Sequence, residues 1–242
     1  MKNSIAVFLA SMLLALLAAG CATRSISDSG YRRPGQPGSA FYQGELNEFE
    51  VIGLKPDAAA SEAEIKRALE SRSRLVLRKG TRILLIQSGA MIPDEAMSAA
   101  LGKYYEVSVF SGVPAKSGGA NASALRLAAA KAGCQTIMVY WGLLETAQNK
   151  QGGKIISWLP IFGGVVPDES QEMRIRLKTA LIDVRSGQWE SYAPEPFQVR
   201  AWSARFTREA SDQAQVAFLK AKAYEALVGD IVKIYAAGGR SD

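Results

Sequence analysis

Residues 171–184 alternate cleanly between apolar and polar side chains. Met173, Ile175, Leu177, Thr179 and Leu181 fall on one side; Glu172, Arg174, Arg176 and Lys178 fall on the other. Strand side chains point to opposite faces with a period of two, so this run predicts a half-buried antiparallel strand with one wet face. Residues 183–187 (Asp-Val-Arg-Ser-Gly) supply a turn, and 188–192 return as the partner strand. Pro194 and Pro196 then loosen or end that partner, because proline donates nothing to a ladder.

The chain ahead of this hairpin alternates helix and strand signals. Ser61 with Glu64 three residues on forms a capping box, predicting a helix over 61–74. Residues 81–87 read as a buried strand, and Pro93-Asp94 opens a short helix to Leu101, stopped at Gly102. A strand over 105–110 follows, then a loop, then a helix over 122–132 between Asn121 and Gly133. Residues 135–145 carry Ile137, Val139, Trp141 and Leu143 on one face and Met138, Tyr140 and Leu144 on the other, a strand covered on both sides. A last helix over 207–235 bears the stripe Val216, Leu219, Ala223, Leu227, Ile231 and Ile234. This order implies an α/β fold: a mixed sheet with helices packed on it, forming one domain over 45–242. An apolar content of 48% gives such a domain a proper core.

The N-terminus has a different logic. Lys2 precedes an apolar run, 5–17, that ends in small residues and then Cys21. A positive start, an apolar core and a small-residue exit are the parts of a secretory signal peptide. The run rises only about 20 Å as a helix, against roughly 30 Å of hydrocarbon, so it is too short to be kept as a span. The stretch Leu17-Ala18-Ala19-Gly20-Cys21 resembles the lipobox of bacterial lipoproteins, with Ala18 where that pattern prefers leucine. The resemblance implies a signal peptide over 1–20, cleavage between Gly20 and Cys21, and a diacylglyceryl group with acyl chains such as palmitate on Cys21. Ala22, rather than aspartate, implies delivery to the outer membrane, facing the periplasm. Residues 21–44 are rich in Ser, Gly, Pro and Arg and read as a flexible lipidated tether.

The domain itself resembles a group of lipidated envelope proteins. These are relatives of the curli-secretion lipoprotein, the outer-membrane activators of peptidoglycan synthases, and the N-terminal domain of the Tol-system propeller protein. The matching segments are Arg82–Gln87, the helix ending Ala-Lys-Ala-Gly-Cys134, the strand over 136–144, and the run from Arg174 to Trp189 with its Asp-Val-Arg-Ser-Gly turn. The resemblance covers about residues 80–235 and rests on layout rather than on a catalytic motif.

Chemistry is constrained by what is missing. The sequence has no histidine, so neither a Ser-His-Asp nor a Cys-His site can be built, nor the usual zinc peptidase site. Gly153-Lys154 lacks the rest of a phosphate-binding loop. Asp94-Glu95 and Asp168-Glu169 are adjacent acidic pairs that read as solvated or capping carboxylates, since nothing pairs them across a substrate. Cys134 stands as the one thiol left after lipidation and reads as a buried, inert side chain. These features predict a protein that is not an enzyme and needs no cofactor or metal.

Two stretches stand out as candidate partner surfaces. Residues 155–167 join two strands yet hold Trp158, Leu159, Ile161, Phe162 and Val165 among Pro and Gly, where an ordinary loop would be polar. They fold back over the sheet edge, dock a partner, or touch membrane. Arg174, Arg176 and Lys178 form a basic stripe, either the wet face of a strand or a surface for an anionic glycan or acidic protein. The net charge of +6 falls to +5 without Lys2, a mild bias that fixes no partner. Nucleic acid does not fit an envelope location. The expected role is a non-catalytic accessory component of envelope assembly, secretion or peptidoglycan maintenance, bound to an envelope protein, to peptidoglycan or to further copies of itself. The rival roles are an oligomeric export channel and an envelope hydrolase.

Overall fold

The computed structural model describes residues 22–29, 42–54, 59–71, 74–114, 122–149, 169–203 and 208–236. They form a mixed sheet of seven strands with helices on both faces, as the helix–strand order implies. The strands are β1 (Ala22–Ser25), β2 (Arg82–Gln87), β3 (Glu106–Phe110), β4 (Thr136–Asn149), β5 (Glu169–Asp183), β6 (Trp189–Tyr192) and β7 (Phe197–Ser203). The helices are α1 (Glu48–Ile52), α2 (Glu62–Glu70), α3 (Glu95–Gly102), α4 (Ala122–Lys131) and α5 (Arg208–Tyr235). No helix among the described residues is long and apolar enough to cross a membrane.

The centre of the sheet is a long antiparallel ribbon in which every residue of β4 pairs with β5, from Thr136↔Asp183 to Asn149↔Ser170. Each outer edge of the ribbon is covered in two stages. Along β4, parallel β2 pairs with 136–140, and antiparallel β1 takes over at 143–146. Along β5, β6 pairs with 179–182 and β7 with 169–175. β3 pairs in parallel with β2 and closes the first side.

Burial follows strand alternation. Ile83 and Leu85 of β2, Met138, Tyr140 and Leu144 of β4, and Met173, Ile175, Leu177 and Leu181 of β5 share one apolar layer with α3 and α5. Leu84, Ile86, Ile137, Val139 and Ile182 face the other way, against Val51 of α1 and Leu125 and Ala129 of α4. In α5, Val216, Leu219, Ala223, Leu227 and Ile231 are buried as the stripe requires, and Tyr224, Val228 and Tyr235 join them. Cys134 is buried.

The structure departs from the sequence reading at several places. Residues 22–29 are not tether: β1 runs straight into a 3-10 turn, Ile26–Asp28, with Ile26 buried. The cause lies in β4, which outruns β2 and would otherwise leave the backbone of 143–146 as an open edge. Residues 42–44 of the expected tether are also placed, leading to Leu46, which is buried and donates its amide to Ser88 Oγ at 2.7 Å. Residues 30–41 and Cys21 lie outside the described residues. β4 continues to Asn149 rather than ending at Glu145, and Leu143 is 46% exposed, so its outer half is covered on one face only. The chain resumes pairing after the prolines as β7. The capping box at Ser61 and Glu64 is present, but α2 stops at Glu70 and buries none of its side chains, leaving Ile65 and Leu69 exposed.

Two glycines mark places where backbones or side chains approach too closely for a Cβ. At Gly112 it would lie 1.9 Å from the Gln87 carbonyl oxygen, a fixed backbone atom; at Gly142 it would lie 2.7 Å from Ile26 Cδ1, the movable end of a side chain. We expect Gly112→Ala to cost about 3 kcal/mol and Gly142→Ala about 1 kcal/mol, read as shifts of the urea unfolding midpoint. Equal costs at the two positions would contradict this packing.

Candidate functional site

In open α/β sheets the crevice beyond the carboxyl ends of parallel strands is the usual place for a ligand. Here that place, past Gln87 of β2, is straddled by the chain's own N-terminal segment. Ser27 Oγ donates to the Ser88 carbonyl at 2.5 Å and accepts from Gln87 Nε2 at 3.0 Å. Gln87 Oε1 in turn accepts from Tyr140 OH at 2.6 Å and from the Asp94 backbone amide at 2.7 Å. One glutamine side chain thus ties the N-terminal segment to β4 and to the start of α3.

Asp94 overturns the expectation of a solvated or capping carboxylate. It occupies the N-cap of α3, but its side chain makes no capping bond. It turns toward α5, accepting from Lys220 Nζ at 2.9 Å and from Tyr224 OH at 2.5 Å. Lys220 also donates to the Ile26 carbonyl at 2.9 Å. The ammonium therefore joins the last helix, the start of α3 and the N-terminal segment. Beneath it Tyr140 and Tyr224 meet edge to face, with centroids 5.7 Å apart.

A cavity of about 340 Å³ remains beside this network, lined by Ile26, Ser27, Tyr42, Gln87, Asp94 and Lys220. Met91 and Ile92, also on its wall, are 56% and 69% exposed. The polar groups around it are bonded largely to one another, an arrangement that fastens segments of the chain together.

Sequence reasoning missed Lys220, Tyr224, Gln87 and Ser27. One signal was available: Val216, Lys220, Tyr224 and Val228 repeat every fourth residue, placing a lysine inside an otherwise apolar helical row. Such a lysine needs a buried carboxylate partner. Ser27 gave no signal, because its partners arrive from 60 and 61 positions away.

The predicted basic stripe proves to be divided. Arg174 and Arg176 both turn to the Glu145 carboxylate, Arg176 at 3.2 Å, while Lys178 pairs with Glu48 at 2.6 Å. The hydrogen bond from Arg174 is the main influence holding the Glu145 carboxyl below its usual range. Gly20 and Cys21, and the apolar set Trp158, Leu159, Ile161, Phe162 and Val165, lie outside the described residues.

Lys220→Met leaves Asp94 without its cation and the Ile26 carbonyl without its donor. The Lys220 and Asp94 side chains are only 11% and 29% exposed, so we expect a loss of about 2 kcal/mol. Lys178→Met, at an exposed pair, should cost well under about 1 kcal/mol by the same denaturation assay.

The buried tyrosines add a pH dependence. Burial, reinforced by neighbouring Asp94, pushes the Tyr140 hydroxyl well above the usual 10.0. Burial, followed by Tyr140 and Asp94, does the same to Tyr224, and burial beside Glu190 takes Tyr235 to about 12. Above pH 10 an unfolded chain loses these protons while the folded one keeps them, so stability falls as pH rises. The thermal midpoint should drop between pH 10 and 12, and Tyr224→Phe should flatten the drop. A midpoint insensitive to pH in that window would contradict the assignment.

A family model described as YafT bacterial lipoprotein matches residues 47–234. No curated protein matches the sequence. Among solved structures, the chain is similar to the PelC dodecamer from Paraburkholderia phytofirmans, at 13% identity and a TM-score of 0.30 over 69% of this chain and 95% of that one. It is also similar to lipoprotein GNA1162 from Neisseria meningitidis, at 14% identity and a TM-score of 0.25 over 63% of this chain and 98% of that one. The family match runs from the N-cap of α1 to the last turn of α5, through both apolar layers, and on that extent the chain belongs to the YafT bacterial lipoprotein family.

Proposed function

We propose that the chain is cleaved between Gly20 and Cys21, lipidated on Cys21 and delivered to the outer membrane. There its α/β domain faces the periplasm as a non-catalytic binding component of envelope assembly, secretion or peptidoglycan maintenance. The observation that carries this reading is membership of a bacterial lipoprotein family in a chain whose lipobox-like Leu17–Cys21 leads directly into β1. Ala22 after the cysteine supports the outer rather than the inner membrane. The non-catalytic role is supported by the crevice, where Asp94, Lys220, Gln87 and the tyrosines are committed to holding segments of the chain together. The partner is another envelope component, a protein or peptidoglycan, and the apolar stretch from Trp158 to Val165 is the surface assigned to it.

Metabolic labelling with palmitate and density-gradient separation of membranes test the anchor. The native chain should carry label and band with outer membranes, whereas Cys21→Ala should carry none and leave the membrane fraction. Label persisting on Cys21→Ala would sink the reading. In the same cells, a photoreactive residue at Phe162 should yield a discrete adduct with one envelope component; adducts only between copies of this chain would replace the accessory role with an oligomeric one.

A further inference from the structure

In the proposed lipoprotein, Cys21 would carry the acyl chains, and one peptide bond later the fold has begun. Ala22, Thr23, Arg24 and Ser25 pair with Thr146, Glu145, Leu144 and Leu143. The segment is then fastened by burial of Ile26, by Lys220 on the Ile26 carbonyl, by Ser27 on Gln87 and Ser88, and by Ser25 on Glu45. Consecutive Cα atoms lie about 3.8 Å apart, so an anchor at residue 21 is tied within one residue of β1.

We infer that the half of the β4–β5 ribbon nearest Cys21, with Arg174 and Arg176, is a membrane-apposed surface seated on anionic phosphate headgroups. The inference rests on lipidation of Cys21, proposed above. Two observations select this surface. The first is register: Thr23 lies opposite Glu145, which lies opposite Arg174, so the row next to the anchor runs straight across the sheet to Arg174, with Arg176 two residues further along β5. The second is charge. Among the described side chains on this face, Arg174 and Arg176 share the Glu145 carboxylate and are 44% and 50% exposed, leaving one positive charge in surplus among those three groups. Phosphate headgroups complement that surplus. The turn at Ser186 belongs to the opposite end. Asp183 is nine residues beyond Arg174 along β5, about 30 Å at 3.4 Å per residue. An anchor held by a long coil would give the domain no fixed face; an anchor one residue before a strand gives it one.

The test uses the full lipidated chain, extracted from membranes and reconstituted into vesicles of phosphatidylethanolamine and phosphatidylglycerol. Nitroxide probes are placed on Gln198→Cys, whose backbone pairs with Arg174, or on Ser186→Cys, leaving buried Cys134 as it is. A nickel-chelating headgroup lipid should relax the probe at 198 at least about fivefold more strongly than the probe at 186, given the separation along the strands. Inserting about 20 Gly/Ser residues between Cys21 and Ala22 should erase the difference by restoring a coil. Chain that floats with the vesicles yet shows equal relaxation at both positions overturns the apposition while leaving lipidation intact. So does a difference that survives the insertion, because the anchor would then not be setting the orientation. Chain that fails to float, or whose N-terminal peptide lacks the diacylglyceryl mass, removes the lipidation on which the inference stands.

Discussion

The antiparallel pairing of β4 with β5 is the constraint from which the rest of the structure follows. Every residue of β4 takes part, so the ribbon is longer than any strand beside it. A long ribbon exposes two long edges, and an unpaired edge is a template for other chains. Here each edge is covered by two short strands laid end to end, β2 then β1 on one side and β6 then β7 on the other. The N-terminal segment therefore belongs to the sheet because β2 is too short to finish the job. The neighbours are accordingly mixed: β2 arrives parallel through a helical connection, β7 folds back antiparallel from nearby chain, and β1 comes antiparallel from the far N-terminal segment.

Where β2 stops and β1 begins, the sheet has a seam, and the polar network fills it. The backbone groups around Gln87, Ser88 and the Ile26 turn cannot all find sheet partners, and buried groups without partners are costly. Ser27, Lys220 and Gln87 pair with the Ser88 and Ile26 carbonyls and the Asp94 amide, and the side chains of Asp94, Tyr140 and Tyr224 complete the network. In many α/β proteins the equivalent crevice is left open for a ligand. Here part of it is spent on closing the chain upon itself, which is why its ionisable groups face one another.

Local patterning made much of this fold legible. The alternation in 171–184, the buried run at 82–87, the capping box at Ser61 and the apolar stripe of α5 each express a period that a single element imposes on its own sequence. What sequence reading missed depends on distant partners. β1 is only four residues of Ala-Thr-Arg-Ser, too short and too polar to signal a strand, and it exists because β4 offers it an edge. The role of Asp94 was hidden likewise: beside Glu95 it looked like a helix cap, and only α5, arriving more than a hundred positions later, shows what its carboxylate is for. Arg174, Arg176 and Lys178 were legible as an exposed row but not as two separate ion-paired groups, because Glu145 and Glu48 come from other elements.

The placement of β1 also sets an order of events in time. It is the first of the described segments to be synthesised, yet its pairing partner begins at Leu143 and the lysine that clasps its turn lies 194 positions beyond Ile26. Contacts this distant form slowly, since the whole intervening loop must be drawn in first. β1 is therefore left without its partner strand through most of the life of the nascent chain. Its turn is clasped only when the final helix docks, so the segment made first is among the last to be fixed in place.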